Sequence, residues 1–280
     1  MTTRRRLPVL LLVCLAACSG EEPRSSPGHP VPTAPASAAF TSAHATDRFP
    51  TTDGILVVSP LEHASVLLGW NGKAIYVDPT STAIADTMLP KADVVFVTHD
   101  HYDHFDAVAL SRLAKPGTLV VAPAAVAAKT HVDVVLRNGD TRTVAGIVVT
   151  AVPMQNLVRG PGPGLLYHPA GRGNGYVLDL AGTRVYFSGD TECTAEMKAL
   201  ERVDVAFISV DRRYTMPPVE AAACLEAMRP GVVFPYHDRG TDPSELGRAL
   251  EGRGIDVRQR DFYPPREEPS LLRRLFRGRP

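Results

Sequence analysis

The chain has 280 residues, 44% of them hydrophobic and 21% charged, with 30 basic side chains balancing 30 acidic ones. That composition suits a globular protein with a sizeable core. Zero formal charge excludes a global field that would gather nucleic acid or an anionic membrane.

The first 50 residues stand outside the fold. Arg4, Arg5 and Arg6 precede an apolar run over 7–17 that is too short to span a bilayer. The run ends in Leu15-Ala16-Ala17-Cys18, which resembles the bacterial lipobox, so a lipoprotein signal peptide is expected over 1–18. The resemblance implies acylation of Cys18 and export, with the chain lipid-anchored to the bacterial cell envelope. Ser19 after it resembles the sorting class of the outer membrane in Gram-negative cells. Residues 19–50 are rich in Pro, Ser, Ala and Thr without apolar periodicity and predict a disordered tether.

From 51 to 263 the pattern is that of one α/β domain. Strands are predicted over 55–59, 65–70 and 73–78, with Asn71-Gly72 as a two-residue hairpin turn. The apolar β-branched run over 93–98 reads as a buried strand, followed by a helix over 105–115. Strands and helices then alternate through 118–122, 124–130 and 132–136. A bent hairpin follows over 141–152. A second half begins near Gly175, with two strands around Ala181-Gly182, a helix over 194–202, a strand over 204–210 and a helix over 218–228. A strand over 232–234 leads to Pro235-Tyr236-His237, and a last helix starts near Asp242. The residues from 264 to 280 read as a basic C-terminal tail. Of the four cysteines, Cys14 and Cys18 belong to the leader, and Cys193 and Cys224 are expected as thiols.

The densest chemistry is Thr98-His99-Asp100-His101-Tyr102-Asp103-His104. Alternate residues of an extended segment point the same way, so His99, His101 and Asp103 can converge on one face. Imidazole and carboxylate at that density suit zinc or a similar divalent ion. These residues match the HxHxDH signature of the metallo-β-lactamase superfamily. Asp78-Pro79, Gly189-Asp190-Thr191 and Pro235-Tyr236-His237 follow in the order and spacing of its later loops. His63-Ala64-Ser65 and the Gly-Asn-Gly-Tyr-Val, Ser-Gly-Asp-Thr-Glu and Tyr-Thr-Met segments look most like the branch resembling ascorbate-phosphate lactonases and the N-acyl phosphatidylethanolamine phospholipase D.

The resemblance implies an αββα four-layer sandwich and a metal-dependent hydrolase. By it, His99, His101 and His168 hold one ion, and Asp103, His104 and His237 the other. Asp190 bridges the two. Two readings of the third ligand stay open: His168, or Asn156 at the place where a His is expected. The ions are expected to be zinc, with manganese or iron as alternatives. A hydroxide between them would attack an ester-type bond in a phosphodiester, lactone or related small or lipid-like substrate, with Asp103 able to take a proton. Tyr102, Arg172, Tyr214 and Arg239 are candidate substrate contacts, and Tyr102, Tyr214 and His63 candidate acids. The competing reading is a non-catalytic, metal-binding surface lipoprotein that uses the same fold as a binding module. A redox variant with two irons and a flavin partner is a third reading, but the chain has no extra domain to carry the flavin.

Overall fold

The described residues form two seven-stranded sheets with the same internal plan. The computed structural model describes residues 46–85 and 88–263, all within the compact unit Ser37–Pro280. The lipobox with Cys18, nearly all of the tether and the tail from 264 lie outside the described residues.

The first sheet runs in chain order through β1 (Asp47–Thr51), β2 (Gly54–Pro60), β3 (Val66–Trp70), β4 (Lys73–Val77), β5 (Val94–Phe96), β6 (Leu119–Ala122) and β7 (Val134–Val135). The second runs likewise through β8 (Thr141–Val144), β9 (Ile147–Met154), β10 (Gly173–Leu180), β11 (Thr183–Phe187), β12 (Val205–Ser209), β13 (Val232–Tyr236) and β14 (Asp256–Val257). In each sheet the first four strands are antiparallel and the last three add in parallel. The hairpin turns Asn71-Gly72 and Ala181-Gly182 both hold positive φ at two successive residues, the geometry that matches strand twist. The two halves therefore repeat in topology, although no sequence repeat is visible.

Three apolar clusters define four layers. The central one joins both sheets, from Val58, Leu68 and Phe96 to Leu178, Phe207 and Phe234. A second packs the outer face of the first sheet against α1 (Ala107–Leu113) and α2 (Ala124–Ala127) through residues such as Tyr76, Leu110 and Val126. A third covers the second sheet with α3 (Ala195–Lys198), α4 (Pro218–Met228) and α5 (Ser244–Ala249), through Met197, Leu225 and Leu246. This is the expected αββα sandwich.

The structure corrects the sequence reading at its edges. The first strand starts at Asp47, four residues before the expected domain boundary, because Pro50 is tolerated on a sheet-edge strand. The helix expected over 194–202 is a single turn, capped at Ala199, and Arg202 has already left helical backbone at φ +52°. Cys193 and Cys224 are not thiols. They form a disulfide with Cα atoms 5.7 Å apart, tying the loop after β11 to α4. Closing a loop of sequence separation 31 restricts the unfolded chain by about 3–4 kcal/mol. Cys224→Ser should therefore lower the melting temperature by about 10 °C in a thermal melt. An unchanged midpoint would show that the crosslink contributes nothing to stability.

Candidate metal centre

Loops at one end of both sheets bring the ligand candidates together. His99 to His104 follow β5, Asp190 follows β11 and His237 follows β13, while His168 arrives from the loop between β9 and β10. Ligand atoms of His99, His101 and His168 lie within 4.8 Å of one another, as do those of His63, Asp103, His104 and His237. His99, His104 and Asp190 form a third such group. Asp190 lies between the first two. Its carboxylate is 3.3 Å from His104 Nε2, 3.4 Å from His168 Nε2 and 3.1 Å from His237 Nε2.

The backbone at the centre is strained where the ligands need it. His63, Asp78 and His237 all sit at positive φ, between 46° and 57°, a region that costs other residues free energy and gathers at functional sites. Gly189 also has positive φ, and a Cβ there would lie 2.6 Å from Met154 Sδ and 3.1 Å from Thr98 Cβ, so a larger residue next to Asp190 would be strained and would have to displace Met154.

Buried Asp78 orients the HxHxDH segment. It accepts from Thr98 N at 2.7 Å, from Thr98 Oγ1 at 2.6 Å and from His104 Nδ1–H at 2.7 Å. That bond fixes the His104 tautomer with Nε2 facing Asp190, the carboxylate–histidine arrangement common behind metal ligands. Burial opposes protonation of His104, but the Asp190 and Asp78 carboxylates outweigh it and raise its pKa well above the ordinary value. Burial pushes His99 well below that value and His168 down to about 4, leaving neutral imidazoles with a lone pair to offer. For Asp190 burial works upward, yet the imidazoles of His237 and His104 hold it well below the usual carboxylate range.

His168 and Asn156 divide the work that the sequence left open between them. His168 stands with His99 and His101, its Nε2 3.2 Å from His101 Nδ1. Asn156 lies behind it: its Oδ1 accepts from His168 Nδ1–H at 2.7 Å and from His168 N at 2.8 Å. Asn156 Nδ2 donates in turn to buried Glu192 at 3.0 Å and to the Tyr214 carbonyl at 2.9 Å. The amide thus holds the imidazole in the tautomer that presents Nε2 to the centre.

The centre opens into a cavity of about 250 Å³ with Tyr102, Tyr167, Tyr214 and Arg239 in its walls. Tyr102, Tyr214 and Arg239, the candidate contacts of the sequence, all line this cavity, and so does Tyr167, which the sequence reading did not single out. Arg172 is not a wall residue. Its guanidinium makes two 2.9 Å hydrogen bonds to Asp100, whose carboxylate also pairs with Lys129 at 2.7 Å. A buried carboxylate demands such partners, so the sequence expectation for Arg172 gives way to a structural ion pair. His63, read from the sequence as part of a motif and as a candidate acid, stands in the ligand group with Asp103, His104 and His237.

Several buried polar atoms here lack a hydrogen-bond partner: His99 Nε2, His104 Nε2, both ring nitrogens of His237, and Asp190 Oδ1. Orphaned atoms at this depth are costly, and a cluster of them aimed at shared space fits a cation.

Residues 58–237 match the family described as the Beta-lactamase superfamily domain. A UPF0173 metal-dependent hydrolase of Aeropyrum pernix is 30% identical over 230 residues, covering 73% of this chain and 93% of that protein. Another, of Thermus thermophilus, is 33% identical over 188 residues, covering 63% and 81%. A protein of known structure from Parabacteroides distasonis superposes with a TM-score of 0.74 at 39% identity, covering 78% of this chain and 98% of its own.

Proposed function

We propose that this chain, which belongs to the metallo-β-lactamase superfamily and within it to the UPF0173 metal-dependent hydrolases, cleaves an ester-type bond with two divalent ions, zinc in the first place. The observation that carries the two-ion reading is the place of Asp190 between two separate ligand groups, 3.1–3.4 Å from imidazoles of both. His99, His101 and His168 would hold one ion, Asp103, His104 and His237 the other, and Asp190 would touch both. All are nitrogen or carboxylate donors, the set that zinc takes, with manganese or iron as alternatives. Such a pair supplies an activated water and neutralises charge developing on the substrate.

The chain's own residues supply the rest. Asp78 and Asn156 hold His104 and His168 in their working tautomers. Asp103 is ionised, its pKa held low because the His63 hydrogen bond and the nearby imidazoles outweigh burial, and in this reading it would take the proton of the attacking water. Tyr102, Tyr167 and Tyr214 offer aromatic faces to the substrate body, and Arg239 offers a fixed positive charge. That wall suits a small or lipid-like phosphodiester or lactone with an anionic or aromatic group. The test is a hydrolysis screen of the full chain over phosphodiesters, lactones, thioesters and β-lactams, before and after chelation and with zinc, manganese or iron restored. Turnover of a phosphodiester or lactone that vanishes with the metal is expected. Turnover confined to β-lactams would overturn the substrate class, and metal binding without turnover would favour the binding-module reading.

The same reading places the enzyme outside the cytoplasm, anchored through Cys18. The lipobox-like leader supports this, and so does the Cys193–Cys224 disulfide, which suits an oxidising compartment. Cys18→Ala should abolish labelling by a fatty-acid analogue and release the protein from membranes. Equal labelling of the two proteins would contradict the anchor.

A further inference from the structure

His63 lies between β2 and β3, outside the HxHxDH segment, and is tied to the centre on every side. Its backbone N–H donates to the Phe262 carbonyl at 2.7 Å, and its carbonyl accepts from the N–H of His237 at 3.2 Å. Its imidazole Nε2 is 3.1 Å from Asp103 Oδ2, and its Nδ1 is 2.5 Å from the Tyr263 hydroxyl. A carboxylate oxygen can only accept, so Nε2 carries the hydrogen and Nδ1 accepts from Tyr263. The residue sits at φ +57°, a backbone that glycine would adopt without strain. The two side-chain bonds offset that strain, and glycine could make neither.

We propose that His63 and Tyr263 form a positioning pair that fixes the Asp103 carboxylate, and through it the affinity of the second metal position. This rests on the two-ion reading above. Tyr263 sets the His63 tautomer, and the His63 N–H on Oδ2 fixes the orientation in which the Asp103 carboxylate is offered to the ion. The arrangement mirrors that of Asp78 behind His104, with the carboxylate here as the ligand and the imidazole as its support. It also makes the segment at 262–263, some 160 residues from Asp103 in sequence, part of the metal centre.

Two simpler roles compete. His63 offers a nitrogen within 4.8 Å of the ligand atoms of Asp103, His104 and His237, so it could itself be a ligand. Its ring also lies 4.0 Å from that of His237, so it could serve only to pack. Zinc titration of the metal-free full chain against a competing chelator separates the three. In His63→Phe, which keeps a ring but has no N–H, the second ion should bind roughly 10- to 100-fold more weakly, with the first unchanged. Tyr263→Phe should weaken the same ion by a smaller factor, and His63→Gln, whose amide can donate to Asp103, should restore most of the affinity.

Wild-type affinity for the second ion in both His63→Phe and Tyr263→Phe would overturn the pair in favour of packing. A His63→Gln protein as weak as His63→Phe would overturn it in favour of a direct ligand. If His63→Phe does not fold, Tyr263→Phe decides alone, since it removes one hydroxyl from a partly exposed side chain. Wild-type protein that takes up fewer than two ions refutes the two-ion reading itself, and this inference with it.

Discussion

Replacing Asp190 with alanine should empty both metal positions together. Among the described residues its carboxylate is the one group within 3.4 Å of imidazoles from both ligand groups, and the uncompensated nitrogens of His104 and His237 face the same space. Deleting a single-ion ligand would leave the other position largely intact, whereas loss of Asp190 removes a donor and a negative charge from each. Hydrolysis should fall by at least about 100-fold, beyond what loss of a supporting residue behind a ligand costs. The fold should survive, because Asp190 lies in the loop after β11 and the three apolar clusters pack without it. Elemental analysis of purified Asp190→Ala beside its circular dichroism spectrum reads both halves of the prediction. A folded variant with full metal content and wild-type turnover would contradict the bridging role.

The second large effect separates His168 from Asn156. His168→Ala should reduce bound metal from two ions toward one, since a nitrogen donor in the group with His99 and His101 is gone. Read from the sequence alone, Asn156→Ala changes little if His168 is the ligand. The structure alters that expectation: the Asn156 amide accepts from the His168 ring at 2.7 Å and is itself held by Glu192 and the Tyr214 carbonyl. Its loss should weaken the first ion by about 10- to 100-fold without removing the ligand. Titration of the two variants side by side should show a missing equivalent in His168→Ala and a complete but weakened one in Asn156→Ala. Loss of the ion in Asn156→Ala with retention in His168→Ala would reverse the roles.

The candidate ligands could be picked out because they stand at strand ends in a fixed order. The β5 strand is a plain apolar run, and the dense His and Asp segment from His99 to His104 begins three residues beyond its end. Asp190 and His237 follow strands that are as easily read. What the sequence withheld depends on contacts between distant segments. Asn156 and His168 are separated by an eleven-residue loop whose folding back decides which of them faces the centre, and no local pattern encodes that. Arg172 beside a ligand loop reads as an anion clamp until Asp100, 72 residues away in sequence, is seen to bind it. His63 and Tyr263 meet across 200 residues.

The same holds for the fold. The long buried strands and α4 were plain from apolar runs, while β1 and β14 are short polar edge strands that exist because a neighbour pairs with them. The common plan of the two sheets lies in topology alone. The cysteines were misread because one lies in a loop and the other on a helix, with nothing local to bring them together. The superfamily was readable from motifs, whereas the UPF0173 grouping emerged only from comparison along most of the chain.

The most direct test of the two-ion account is a crystal structure of the zinc-loaded protein with anomalous scattering data. Two peaks should appear about 3.5–4 Å apart. One should be bounded by His99, His101 and His168, the other by Asp103, His104 and His237, with Asp190 about 2.0–2.2 Å from each. A single peak, or two peaks with Asp190 beyond bonding distance of either, would contradict it.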